Sequence, residues 1–153
     1  MAITTINGLD ELRAAVGRDL GTSEWLEITQ ERVNTFADAT GDHQWIHVDV
    51  ERAKAESPFG GPIAHGYLTL SLTNLFLPQV VEVTGISSGV NYGVGKVRFP
   101  AAVPVGSRIR GHVTLESAEE VRGGVQTTMV ITVELEGSEK PACIVEAISR
   151  WLA

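Results

Sequence analysis

Cysteine is almost absent from this chain. Cys143 stands alone among 153 residues, so no intrachain disulfide can form and a cysteine-based metal site has no support. Long apolar runs are missing too: no stretch reaches the roughly 18 residues of a membrane-spanning helix. The opening residues, Met1-Ala2-Ile3-Thr4-Thr5-Ile6-Asn7-Gly8, have neither a positive cluster nor an apolar core, which argues against a signal peptide. A cytoplasmic protein with no membrane partner is the expectation. Basic residues are also scarce, 12 Lys and Arg against 19 Asp and Glu, and the net charge of −7 argues against a nucleic-acid partner. What is present is ordinary for a globular chain, 43% hydrophobic and 20% charged. The length suits one domain, residues 1–153, with a real core. No internal repeat, linker or low-complexity segment interrupts it.

Ile6, Leu9, Leu12 and Val16 recur at helical spacing between Asn7-Gly8 and Gly17, which predicts a short amphipathic helix. Trp25 to Ile28 reads as a short strand. Thr29 has the character of an N-cap for a helix with Val33, Phe36 and Ala37 on its inner face. Asp49 would cap a brief helix through Arg52, Ala53 and Ala55, ended by the loop Ser57-Pro58-Phe59-Gly60-Gly61-Pro62. From Ala64 to Leu77 apolar residues lie on nearly every face, the mark of a buried helix. Beyond Val80 the period is two. Ile109, Val113 and Leu115 share one strand face, and Val125 to Leu135 another. Arg122-Gly123-Gly124 and Glu136-Gly137-Ser138 supply turns, and Ala142 to Leu152 forms the last strand. One buried helix followed by long antiparallel strands is an α+β pattern, with the sheet wrapped around the helix. Edges of such a sheet must be covered or paired, and edge-to-edge dimers are one solution.

The most informative stretch runs from Phe36 to Asp49. Asp42 and His47 are five positions apart, about 500° around a helix of about 3.6 residues per turn, so on one helix they would face apart. They converge only if the chain leaves the helix at Gly41, the usual residue for the left-handed step that ends one. A converging carboxylate and imidazole can hold a water and move its proton near neutral pH. The plain alternative is a capping Asp and a hydrogen-bonded loop His. Apolar Phe36, Trp45 and Ile46 would desolvate Asp42 and help it cycle between base and acid. Further on, His65-Gly66 opens the buried helix, where free N–H groups suit a developing oxyanion. Gly66 would permit close approach or simply tight packing, and His65 reads as structural.

The run Gly41-Asp42-x-x-x-x-His47-x-Asp49, followed by Ile63-Ala64-His65-Gly66-Tyr67, resembles the signature of the (R)-specific enoyl-CoA hydratases, in the MaoC-like dehydratase group of the hot-dog superfamily. The likeness continues through Val90 to Gly93, Lys96 to Pro100 and Pro104-Val105-Gly106, and so covers most of the chain from about residue 24. One departure is that Gln44-Trp45 stand where the family's commonest form has Asn-Pro. The resemblance implies a hot-dog fold, at least a homodimer, and hydration of a trans-2-enoyl thioester to an (R)-3-hydroxyacyl thioester. In that scheme Asp42 and His47 are the water-activating dyad, and the Gly66 N–H contacts the thioester carbonyl. The substrate would ride on coenzyme A or acyl-carrier protein, with no cofactor beyond the coenzyme A of the substrate itself.

Other patterns are weaker. His43-x-x-x-His47 with Asp42 and Asp49 superficially suggests a metal site, but the helix breaks before it and no metal is expected. Asn91 to Lys96 is glycine-rich without Walker spacing, and a strand follows instead of a helix. Asn91 and Tyr92 are candidates to line the acyl or pantetheine path, with Lys96 or Arg98 near phosphates. A solvated strand face accounts for these charges equally well. Lys54 and Arg108 complete the supply of positive charge a coenzyme would need. Cys143 reads as an inert core thiol. Two rival readings stay open, a hot-dog acyl-thioester hydrolase and a non-catalytic acyl-thioester binding subunit.

Overall fold

The computed structural model describes residues 2–153. The chain opens with β1 (Thr4–Asn7) and α1 (Gly8–Ala14), where Ile6 and Leu12 are buried. Val16 lies beyond the end of α1 and is exposed, so the expected apolar stripe stops one turn early. β2 (Asp19–Thr22) carries no period-two signal and was not expected. β3 (Leu26–Glu27) occupies the predicted Trp25–Ile28 strand. In α2 (Gln30–Thr40) the Thr29 hydroxyl accepts the Arg32 N–H at 3.1 Å, and Val33 and Ala37 face inward as their spacing requires. Gly41 closes α2 in the left-handed region, φ 85°, a conformation costly for any residue with a Cβ. The single turn α3 (Trp45–Val48) follows, then α4 (Val50–Glu56), capped by Asp49 accepting from the Arg52 N–H at 3.1 Å.

The apolar segment after the Pro-Gly loop forms α5 (Gly66–Ser71) and α6 (Thr73–Val80), divided at Leu72. The expectation of one fully buried helix is corrected here. Leu68, Thr69, Leu72, Thr73, Phe76 and Val80 face inward, whereas Tyr67 is 71% and Leu75 41% exposed. The sheet covers only one side of the helix, and the other keeps its apolar residues in the open.

β4 (Val81–Thr84) pairs in parallel with β1, a contact between distant segments with no local signature. The main sheet then follows as β5 (Ser88–Arg98), β6 (Arg108–Val121), β7 (Gly124–Leu135) and β8 (Cys143–Leu152), in the order β2-β6-β7-β8-β5, with β3 also on β6. Burial along β7 alternates without a break: Val125, Thr127, Met129, Ile131, Val133 and Leu135 point to the helix side. Phe76 of α6 lies on Gly111 of β6, where a Cβ would come within 2.8 Å of the Phe76 Cβ. This is the α+β hot-dog arrangement, an antiparallel sheet packed on a central helix. Cys143 is fully buried and desolvation pushes its thiol up to about 11, consistent with an inert core residue.

β5 stands at the sheet edge with β8 as its only neighbour, and its register slips between Asn91 and Gly93 and again between Val94 and Val97. Val90, Tyr92 and Val94 are each about half exposed along it. No helix among the described residues is long and apolar enough to cross a membrane.

Candidate active site

The turn at Gly41 brings Asp42 back toward the start of α5. One oxygen of the Asp42 carboxylate, one ring nitrogen of His47 and one of His65 all lie within 4.8 Å of one another. Asp42 Oδ1 accepts the Gln44 N–H at 3.3 Å, closing a small side-chain turn that orients the carboxylate. The enclosure expected from Phe36, Trp45 and Ile46 is not formed: the Asp42 side chain is 51% exposed, and the Trp45 ring lies against the Arg52 guanidinium instead, its centroid 4.2 Å away.

His47 is buried, and its Nδ1 lies 2.7 Å from the Ile63 carbonyl oxygen. A carbonyl only accepts, so Nδ1 carries the proton and Nε2 keeps its lone pair. Ile63 in turn donates its N–H to the Ile46 carbonyl at 3.1 Å, so one residue of the loop fixes both the position of α3 and the tautomer of its histidine. Burial is the main cause holding His47 below its usual 6.5, with His65 adding to the effect and the Ile63 carbonyl and Asp42 opposing it. His47 is therefore a neutral base at pH 7.

The sign for stability follows. Between 6.5 and the lower folded value the unfolded chain binds the proton more readily than the native one. The contribution of neutral His47 is thus complete above that window and is lost as pH falls through it. For activity, the acid limb of kcat/KM is expected to have its midpoint below 6.5. A pH–rate profile with its midpoint above that value would remove His47 as the titrating base.

His65, read from sequence as structural, is the third member of the cluster. It is 2% exposed, its Nε2 lies 3.0 Å from the Asp42 carbonyl oxygen, and its ring stacks on His47 with centroids 3.9 Å apart and planes 26° apart. The only local hint was its place beside the helix-opening glycine. His43 is turned away, its Nε2 2.9 Å from Asp38 Oδ1 on α2, so the His-x-x-x-His pair does not converge. The stacking also bears on metal binding. Zinc bonds histidine along the ring plane at about 2.0–2.1 Å, and two rings this nearly parallel have no common point at that range. The cluster as it stands suits a water better than an ion.

Gly66 is the first residue of α5, and its N–H has no acceptor among the described residues. A Cβ here would meet the Phe99 ring at 3.1–3.3 Å, so the glycine's close packing is against Phe99 and not against the sheet. An apolar cleft of about 350 Å³ runs past it, lined by Phe59, Ile63, Thr69, Phe99 and Val103 among others.

The remaining candidates are scattered. Asn91 Nδ2 reaches Asn74 Oδ1 at 3.5 Å, beside a second cleft between α5–α6 and β5. Tyr92 lies under the Arg150 guanidinium, 3.7 Å from its ring centroid. Lys96 and Arg98 face a depression shared with Glu116, Val130, Ile144 and Glu146 on the sheet side away from the helix. The register of β5 on β8 sets this, and the structure does not bring them to Asp42 and His47. Arg108 is engaged by Glu136.

A helix laid on an antiparallel sheet, with an Asp–His pair at its start, defines a protein of the hot-dog class. The chain belongs to the MaoC-like dehydratase family, whose domain model, described as MaoC like domain, matches residues 11–137. It is 54% identical over 150 residues to 3-hydroxyacyl-thioester dehydratase Z of Mycobacterium tuberculosis, covering 97% of this chain and 99% of that one. Among solved structures, a monoamine oxidase regulatory protein from Archaeoglobus shares the fold with a TM-score of 0.78 at 23% identity, covering 98% of this chain and 97% of that one. The (R)-hydratase from A. caviae, described as involved in PHA biosynthesis, does so with a TM-score of 0.71 at 22% identity, over 88% of this chain and 94% of that one.

Proposed function

We propose that this protein is a hydro-lyase that reversibly adds water to trans-2-enoyl thioesters, giving (R)-3-hydroxyacyl thioesters. The observation that carries the reading is the meeting, within 4.8 Å, of an Asp42 carboxylate oxygen with a ring nitrogen of buried His47, close to the start of α5, where the Gly66 N–H is unpartnered among the described residues and borders an apolar cleft. The name of the mycobacterial relative supports the same substrate class, and the (R) outcome rests on family likeness.

Asp42 and His47 hold the water between them. As its oxygen bonds to the β-carbon, one water proton passes to the dyad, and the C=C electrons move into the thioester as an enolate. The Gly66 N–H donates to the oxygen on which that charge collects. The dyad then returns a proton to the α-carbon, so the elements of one water are added and the catalyst is unchanged. The thioester supplies the electron sink, and no metal or redox group is needed. Coenzyme A or acyl-carrier protein enters as part of the substrate. The test is loss of enoyl absorbance with trans-2-enoyl-CoA of short and medium chain length. Hydration is the expected result. Release of free thiol from saturated acyl-CoA without hydration would replace this reading with a hydrolase.

The unpaired, half-apolar edge of β5 fits a second copy of the chain, and the working form is a homodimer. Light scattering on the purified protein is expected to give twice the monomer mass. A monomer with full activity would remove the dimer from the mechanism.

A further inference from the structure

We propose that His65 is the positioning residue of the dyad, tethering the Asp42 main chain through its Nε2–H and holding the His47 ring by its face. The inference deepens the hydratase reading, and its kinetic arm rests on that reading.

The argument begins with proton accounting. The Asp42 carbonyl, 3.0 Å from His65 Nε2, can only accept, so Nε2 carries a proton, and an imidazole with its one proton there has a bare lone pair at Nδ1. That Nδ1 is buried and has no partner among the described residues. A buried acceptor left unmade costs stability with nothing in return. The slot is otherwise aromatic, with Phe36 tilted against the ring at 4.9 Å, and a phenylalanine would fill it without that orphan, giving up only the bond to the Asp42 carbonyl.

What the imidazole supplies is two constraints at once. Its N–H fixes the backbone of Asp42, whose carboxylate is otherwise steadied only by the Gln44 N–H. Its face restrains His47 at 3.9 Å, while the Ile63 carbonyl restrains the same ring in its plane. Together these hold in place the ring whose nitrogen lies within 4.8 Å of the carboxylate. A misplacement of reacting groups by an ångström can cost about 10²-fold in rate.

Two variants separate the constraints. His65→Phe keeps the ring and loses the donor. His65→Gln keeps an N–H near the Nε2 position and loses the stack. In the assembled enzyme we expect His65→Phe to stay folded and to melt close to the wild-type temperature, because removal of the orphaned acceptor offsets the lost bond to the Asp42 carbonyl. Its kcat should nevertheless fall about 10–10²-fold, with KM little changed. His65→Gln should recover part of kcat. Nuclear magnetic resonance reads the placement without substrate: the Gln44 amide should shift in His65→Phe, and the His47 ring signals in His65→Gln. Wild-type kcat in both folded variants would overturn the inference. So would a loss of rate that follows melting temperature while both signals stay in place. If the wild type hydrates no enoyl thioester the hydratase reading fails, and the resonance measurements still decide whether His65 places Asp42 and His47.

Discussion

Asp42→Asn and His47→Ala are each expected to lower kcat/KM for enoyl hydration by about 10²–10⁴-fold, the range a positioned acid–base group contributes. Neither should unfold the protein. Asp42 is half exposed and its fold-relevant contact, the carbonyl held by His65, is main-chain. His47 leaves a small cavity on truncation, but α3 stays tied to the loop by the Ile63 N–H to the Ile46 carbonyl. The check is steady-state kinetics beside circular dichroism and mass for each variant. A folded variant with wild-type rate would eliminate the dyad, and with it the mechanism.

A comparably large effect is expected from removing one main-chain hydrogen. Gly66→Pro deletes the N–H that would polarise the thioester, and the local backbone is ready to accept proline. Gly66 is the first helical residue, where proline is favoured. His65 before it has φ −62° and ψ 139°, the extended conformation that a residue preceding proline adopts. The control is Gly66→Ala, which adds the same Cβ against Phe99 and keeps the N–H. We expect Gly66→Pro to fall about 10²–10³-fold below Gly66→Ala in kcat. Equal rates in the two variants would show that the main-chain donor does not serve the reaction and that the glycine is there for packing alone.

Several of these details were legible in the sequence because they are local. A glycine must close a helix that ends in the left-handed region, and Gly41 does so. Thr29 and Asp49 accept the N–H groups that open α2 and α4. The period of two along β7 survives in the burial of every second side chain from Val125 to Leu135. The convergence of Asp42 and His47 follows from the chain reversal at Gly41. Features set by distant partners were not legible. Ile6 gives no sign that its strand will pair with Val83 in β4. Lys96 and Arg98 gave no sign of their face until the register of β5 on β8 fixed it. His65 looked like a packing residue because its two useful contacts come from residues 23 and 18 positions earlier in the chain.

The division of the central helix at Leu72 separates two kinds of selection. α6 carries Phe76 and Val80 into the core, and α5 opens on Gly66, the glycine proposed to meet the thioester. Leu68 of the first half still enters the core beside Phe76 and Val80 of the second, so the division leaves Gly66 at the free end of a segment anchored one turn further on. A change at that end is felt locally, while one at Leu68, Phe76 or Val80 is felt by the whole core.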